Sequence, residues 1–140
     1  MPFDKDWLKR RIKPLANFQG TAHELALAFG LGITLGIIPG TGAIAAAAVA
    51  AILRLNLPLM VAGALLTNPI TTPFVYVGSF LLGSWLLQAW LPTVGFLRVV
   101  LSFLAGNLIL ALGLGTLGYL AVLGLTTLLR RGRLPRHSVF

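Results

Sequence analysis

Between Glu24 and Arg130 the chain carries only two charged residues, Arg54 and Arg98. Charge-free runs of 29, 43 and 31 residues therefore cover Leu25 to Leu53, Leu55 to Leu97 and Val99 to Leu129. Each run exceeds the ~20 apolar residues that cross a bilayer core. Of the 140 residues, 57% are apolar and 10% charged, whereas a soluble domain carries about a quarter charged. A water-soluble globule is excluded. The expected fold is all-α: a polytopic membrane protein of short or Pro/Gly-broken helices.

Three acidic residues (Asp4, Asp6, Glu24) and two histidines (His23, His137) are the whole stock of ordinary acid-base groups, and none lies inside a charge-free run. An intramembrane proton relay or metal site has no residues to use. Without cysteine there is no thiolate nucleophile, iron-sulfur cluster or disulfide. Paired carboxylates would have to be Asp4 and Asp6 on an exposed basic arm, which forms no pocket. The chain is read as non-enzymatic, with no cofactor.

The net charge of +8 comes from two clusters, Lys5 to Lys13 before the first run and Arg130 to Arg136 after the last. Basic residues that flank membrane segments hold those ends in the cytoplasm and meet anionic headgroups. This accounts for the charge without nucleic acid, and no aromatic-interleaved basic surface argues otherwise. A cleavable leader is set aside because the apolar sequence continues far past Ala43-Ile44-Ala45. The division is a basic amphipathic cytoplasmic arm (1–20), one transmembrane helical domain (21–129) and a basic tail (130–140).

Along the chain, Asp4 caps a short surface helix over Lys5 to Lys13. Thr21-Ala22-His23-Glu24 is a capping box ahead of an apolar helix from Ala22 to Ile38; it explains Glu24 without catalysis, and His23 reads as an interfacial polar residue. Pro39-Gly40-Thr41-Gly42 then breaks the chain. An Ala-rich segment runs from Ala43 to Leu53 and a shorter one from Pro58 to Leu66. Thr67-Asn68-Pro69-Ile70-Thr71-Thr72-Pro73 breaks it again, and a helix follows from Phe74 to Trp90. The last run is longer than a crossing requires, and Gly106-Asn107 is its expected irregular point. Gly113-Leu114-Gly115-Thr116-Leu117-Gly118 follows no strand, so it reads as close helix packing, not dinucleotide binding; Gly32-x-x-x-Gly36-x-x-x-Gly40 reads the same way.

Two breaks resemble each other across 30 residues, Pro39-Gly40-Thr41 and Pro69-Ile70-Thr71. Paired interruptions of this kind point to a transporter-like site. A broken helix in lipid leaves backbone groups that protein or a polar cavity must satisfy. Thr41, Asn68 and Thr71 would supply hydrogen bonds, Gly40 and Gly42 close backbone approach, and Arg54 charge, beside helix N-termini that attract anions. The competing reading is a packed scaffold in which Thr41 and Asn68 cap helices and Arg54 snorkels to headgroups.

The run Phe29-x-Leu31-Gly32-x-x-x-Gly36-x-x-Pro39-x-x-Gly42, then Arg54-Leu55-Asn56-Leu57-Pro58, then Asn68-Pro69-Ile70-Thr71-Thr72-Pro73-x-x-Tyr76 and Gly83, resembles the prokaryotic membrane family called domain of unknown function 2062. The likeness covers Ala22 to Trp90. It implies a bacterial inner-membrane protein from a family whose members sometimes accompany glycosyltransferase domains, and it implies no activity. The signature residues coincide with the breaks and Arg54, and they add Tyr76 to the candidate site.

The expectation is therefore a multi-pass protein of the bacterial inner membrane with both termini cytoplasmic and four crossings; re-entrant segments are the rival arrangement. It binds or moves a phosphate-bearing lipid or other anion at the paired breaks, in contact with anionic membrane lipids and as a homo-oligomer. The alternative is an accessory subunit that packs against a larger membrane complex.

Overall fold

The computed structural model describes residues 20–88 and 95–131. The Lys5 to Lys13 helix, Trp90 and the tail beyond Arg131 lie outside the described residues. Among the described residues the regular structure is entirely helical: α1 (Ala22–Ile37), α2 (Gly42–Leu53), α3 (Leu57–Leu65), α4 (Thr72–Leu87) and α5 (Phe96–Arg131).

Local chemistry sets most of the boundaries. The capping box opens α1, with the Glu24 amide donating to Thr21 Oγ1 (3.1 Å) and the Thr21 amide to Glu24 Oε2 (2.8 Å). At the end of α2, Arg54 adopts the left-handed conformation (φ 55°) and the Leu55 amide reaches back to the Ala50 carbonyl (2.9 Å). Asn56 Oδ1 accepts the Leu59 amide (3.0 Å) to open α3, and Pro73 stands in the first turn of α4, where its missing N-H costs nothing.

The expected irregularity at Gly106-Asn107 does not occur. Helix α5 is continuous over 36 residues, about 54 Å at ~1.5 Å per residue. Both residues are buried in contacts with other helices, so Gly106 permits close approach and Asn107 turns its side chain outward to partners on them. Helix α5 is long and apolar enough to cross a membrane, and 11% of its most apolar stretch is buried.

The other helices are arranged along α5. Helix α1 runs antiparallel to its central part, with Gly30 against Gly115, Thr34 against Ala111 and Ile37 against Asn107. Helix α4 runs antiparallel to its N-terminal half, with Gly83 against Ser102 and Ser79 against Gly106. Helices α1 and α4 thus point the same way and follow one another along α5. They meet where Val75 packs on Ile33, Ile37 and Ala111. Helix α2 folds back on α1 through Ala46, Ala50 and Ala28, and α3 runs parallel to α1 with Met60 opposite Gly32 and Ala64 opposite Gly36.

Small residues make these approaches possible. A Cβ on Gly106 would overlap the Ser79 carbonyl, and one on Gly83 the Ser102 carbonyl. Gly40 and Gly113, by contrast, have nothing within 4 Å of the corresponding position, so not every glycine of the two small-residue patterns packs. Gly106→Ala is expected to lower unfolding free energy in mixed micelles by about 2 kcal/mol, as overpacking does, while Gly113→Ala leaves it within about 0.5 kcal/mol.

Candidate functional site

The first break follows Ile37, which lies against Asn107, and the second follows α3, whose Ala64 lies opposite Gly36. At the first, Gly40 (φ 84°) and Gly42 (φ 62°) take left-handed conformations that L side chains rarely adopt. The Thr41 hydroxyl turns back to donate to the Ile38 carbonyl (2.8 Å) and also contacts the Leu35 carbonyl, which closes the end of α1. No side chain caps the start of α2. The Ile37 carbonyl, the last of α1, accepts from Asn107 Nδ2 (3.3 Å), and the same nitrogen donates to Ser79 Oγ (3.3 Å). Ser79 Oγ in turn donates to the Val75 carbonyl (2.7 Å).

The second break is closed by its own polar side chains. Asn68 Oδ1 accepts the amides of Ile70 (2.8 Å) and Thr71 (3.0 Å). Thr71 Oγ1 accepts the Asn68 amide (2.9 Å) and donates to the Leu66 carbonyl (2.9 Å). Thr72 Oγ1 donates to the Asn68 carbonyl (2.8 Å). Within these contacts the Asn68 side-chain amide group keeps its donors unused.

Gly40, Thr41 and Gly42 thus belong to one break and Asn68 and Thr71 to the other, and each break is closed within its own segment. Tyr76 lies one turn further along α4, its ring edge-on to Phe103 (centroids 5.2 Å, 84°). Arg54 belongs to neither break: it ends the 12-residue α2, about 18 Å along the axis from Thr41, and it is exposed. Its positive φ is nonetheless informative, since glycine is the low-strain residue for such a helix end. An arginine held in that conformation presents a cation where the backbone prefers no side chain.

Asn107 is the residue that sequence reasoning missed. Its signal was present: it is the one side-chain amide in the run from Val99 to Leu129, and a buried amide must find partners. His23 is engaged by Tyr119 (Nδ1 to OH 2.7 Å) at the rim of an apolar cavity of about 290 Å³ between α1 and α5.

The profile of a family described as an uncharacterized protein conserved in bacteria (DUF2062) matches residues 5–134. No curated protein and no solved structure matches the chain.

Two outcomes follow from this geometry. Asn107→Ala, which strips the Ile37 carbonyl of its donor, should cost about 2 kcal/mol in denaturant unfolding, whereas Leu108→Ala on the exposed side should cost under about 1 kcal/mol. Arg54→Gly should be more stable than Arg54→Ala by about 1 kcal/mol in the same assay, because only glycine relieves the left-handed strain.

Proposed function

Because the chain belongs to this uncharacterized family conserved in bacteria, no activity is inherited with membership, and we propose a function from its own geometry. It is a small, non-enzymatic, multi-pass protein of the bacterial inner membrane that binds or moves a phosphate-bearing lipid or similar anion at the paired helix breaks.

The proposed topology has two crossings in place of four. Helices α1, α2 and α3, with 16, 12 and 9 residues, extend about 24, 18 and 14 Å, short of a ~30 Å core. Helices α1 and α2 form a re-entrant hairpin that turns at Pro39 to Thr41. Helices α3 and α4 together make one broken crossing, and α5 makes the return. Arg130 Nη2 donates to the Gly20 carbonyl (2.6 Å), so the start of α1 and the end of α5 share one side. The backward run of α2 carries Arg54 towards that side and leaves Arg98 on the other. This charge distribution is the one that keeps a cytoplasmic face positive. Large exposed side chains such as Phe74 (77%), Trp85 (72%) and Leu117 (62%) suit lipid contact and would be a liability in water.

The observation that carries the site is the exposure of the breaks. Gly40, Pro69 and Ile70 are exposed, and the amides at the start of α2 have no side-chain cap, yet the breaks lie near the middle of α5. Lipid cannot satisfy such groups. A second copy of the chain that encloses them around a polar cavity can, and one copy of this size encloses little volume alone. The uncapped amides of α2, with the unused donors of Asn68, favour an anion there. Arg54 serves entry from the cytoplasmic side, not the cavity.

The absence of cysteine makes the test clean. Ile44→Cys and Ile70→Cys, each the sole thiol in its variant, should react with a membrane-impermeant maleimide in intact membranes, and phosphatidylglycerol should slow both reactions. Thiols that stay silent until the protein is denatured would sink this reading and favour an accessory subunit whose apolar faces pack against a larger complex.

A further inference from the structure

We propose a second anion site, distinct from the breaks, that takes a phosphate group between α4 and the start of α5 at the end of the molecule opposite Gly20 and Arg130. A cavity of about 230 Å³ lies there, lined by Phe80, Ser84, Gly95, Arg98, Val99 and Ser102. It is larger than a halide needs and large enough for a tetrahedral oxyanion. Arg98 stands nine residues before Asn107, so the two sites are separated by about 13 Å along α5.

Ser102 lines this cavity. It is 1% exposed, and its hydroxyl has no hydrogen-bond partner among the described residues. Other helical hydroxyls donate to the carbonyl of the preceding turn: Thr34 to Gly30 (3.0 Å), Ser79 to Val75 (2.7 Å), Thr116 to Leu112 (2.7 Å) and Thr126 to Val122 (2.7 Å). Ser102 does not make this bond. A buried hydroxyl left unpaired is costly, and one that lines a cavity is paired when a ligand oxygen occupies it.

Arg98 supplies the charge and has no counter-ion among the described residues. It is half-buried, and the one carboxylate among the described residues, Glu24, is at the opposite end of α5 in the α1 capping box. The first turn of the long helix α5 adds the positive end of its dipole, while the Arg98 and Val99 amides are given to the Gly95 carbonyl (3.1 and 3.3 Å). The guanidinium and the hydroxyls of Ser84 and Ser102 form a donor set with no acceptor charge, which matches the oxygens of a phosphate. The exposed side chains of Phe80 and Val99 at the mouth suit the glycerol and acyl region of a lipid, although a free phosphate ion meets the same donors.

The full chain in maltoside micelles is to be titrated calorimetrically with inorganic phosphate and, separately, with dihexanoyl phosphatidylglycerol. Besides any binding at the breaks, one site per chain that Arg98→Gln removes is expected. Arg98→Gln should weaken binding at least tenfold and Ser102→Ala three- to tenfold, while Arg131→Gln at the far end changes it less than twofold. Ser102→Ala should keep the parent thermal midpoint or raise it, so that lost binding is not lost folding. Binding of the lipid alone assigns the group to a headgroup, and binding of both assigns it to phosphate in general. If neither ligand binds, or if affinity is unchanged in both Arg98→Gln and Ser102→Ala, the site does not exist.

Discussion

The Asn107 side-chain amide joins the three helices on which the molecule is built. From the middle of α5 it donates to the last carbonyl of α1 and to the Ser79 hydroxyl of α4. A helix end that points into an apolar interior leaves carbonyls without partners, and here one amide from a neighbouring helix answers that need. Helices α1 and α4 can then follow one another along α5 without a wet gap between them. The small residues Ser102, Gly106, Ala111 and Gly115 of α5, all buried, let both partners approach closely enough for those bonds to form.

Polar groups at the breaks divide into those that serve the fold and those left over. Thr41, Thr71, Thr72 and the Asn68 carbonyl and Oδ1 are occupied in closing the chain on itself. What remains for a ligand is mostly backbone: uncapped amides at the start of α2 and the donors of Asn68. Recognition at the breaks would thus be by helix dipoles and amides, and the arginines would act at the two ends of the molecule, Arg54 on one side and Arg98 on the other.

Much of the architecture was legible because its signals are local. The capping box at Thr21 and Glu24 and the breakers at Pro39-Gly40 and Pro69 act through neighbours a few residues away, so those boundaries followed from spacing. The Gly106-Asn107 expectation failed for the opposite reason. In isolation a glycine and an asparagine weaken a helix; packed between α1 and α4 they are the residues that hold it in place. Arg54 was grouped with the breaks as the cation that would join their helix N-termini, yet residue type does not report the direction in which an intervening helix carries the chain.

The sequence by itself determined an apolar, helical chain with basic ends, two interruptions and an exact inventory of polar groups, because composition and backbone chemistry act on each residue wherever it lies. Only the tertiary structure decided which of those groups meet. Asn107 lies 70 residues from Ile37 and 28 from Ser79, and nothing in the local sequence states that pairing. It depends on the order in which short helices lie along α5, which is fixed by close approach at glycine, alanine and serine across distant segments. The same packing leaves the Ser102 hydroxyl buried without a partner while its neighbours are satisfied.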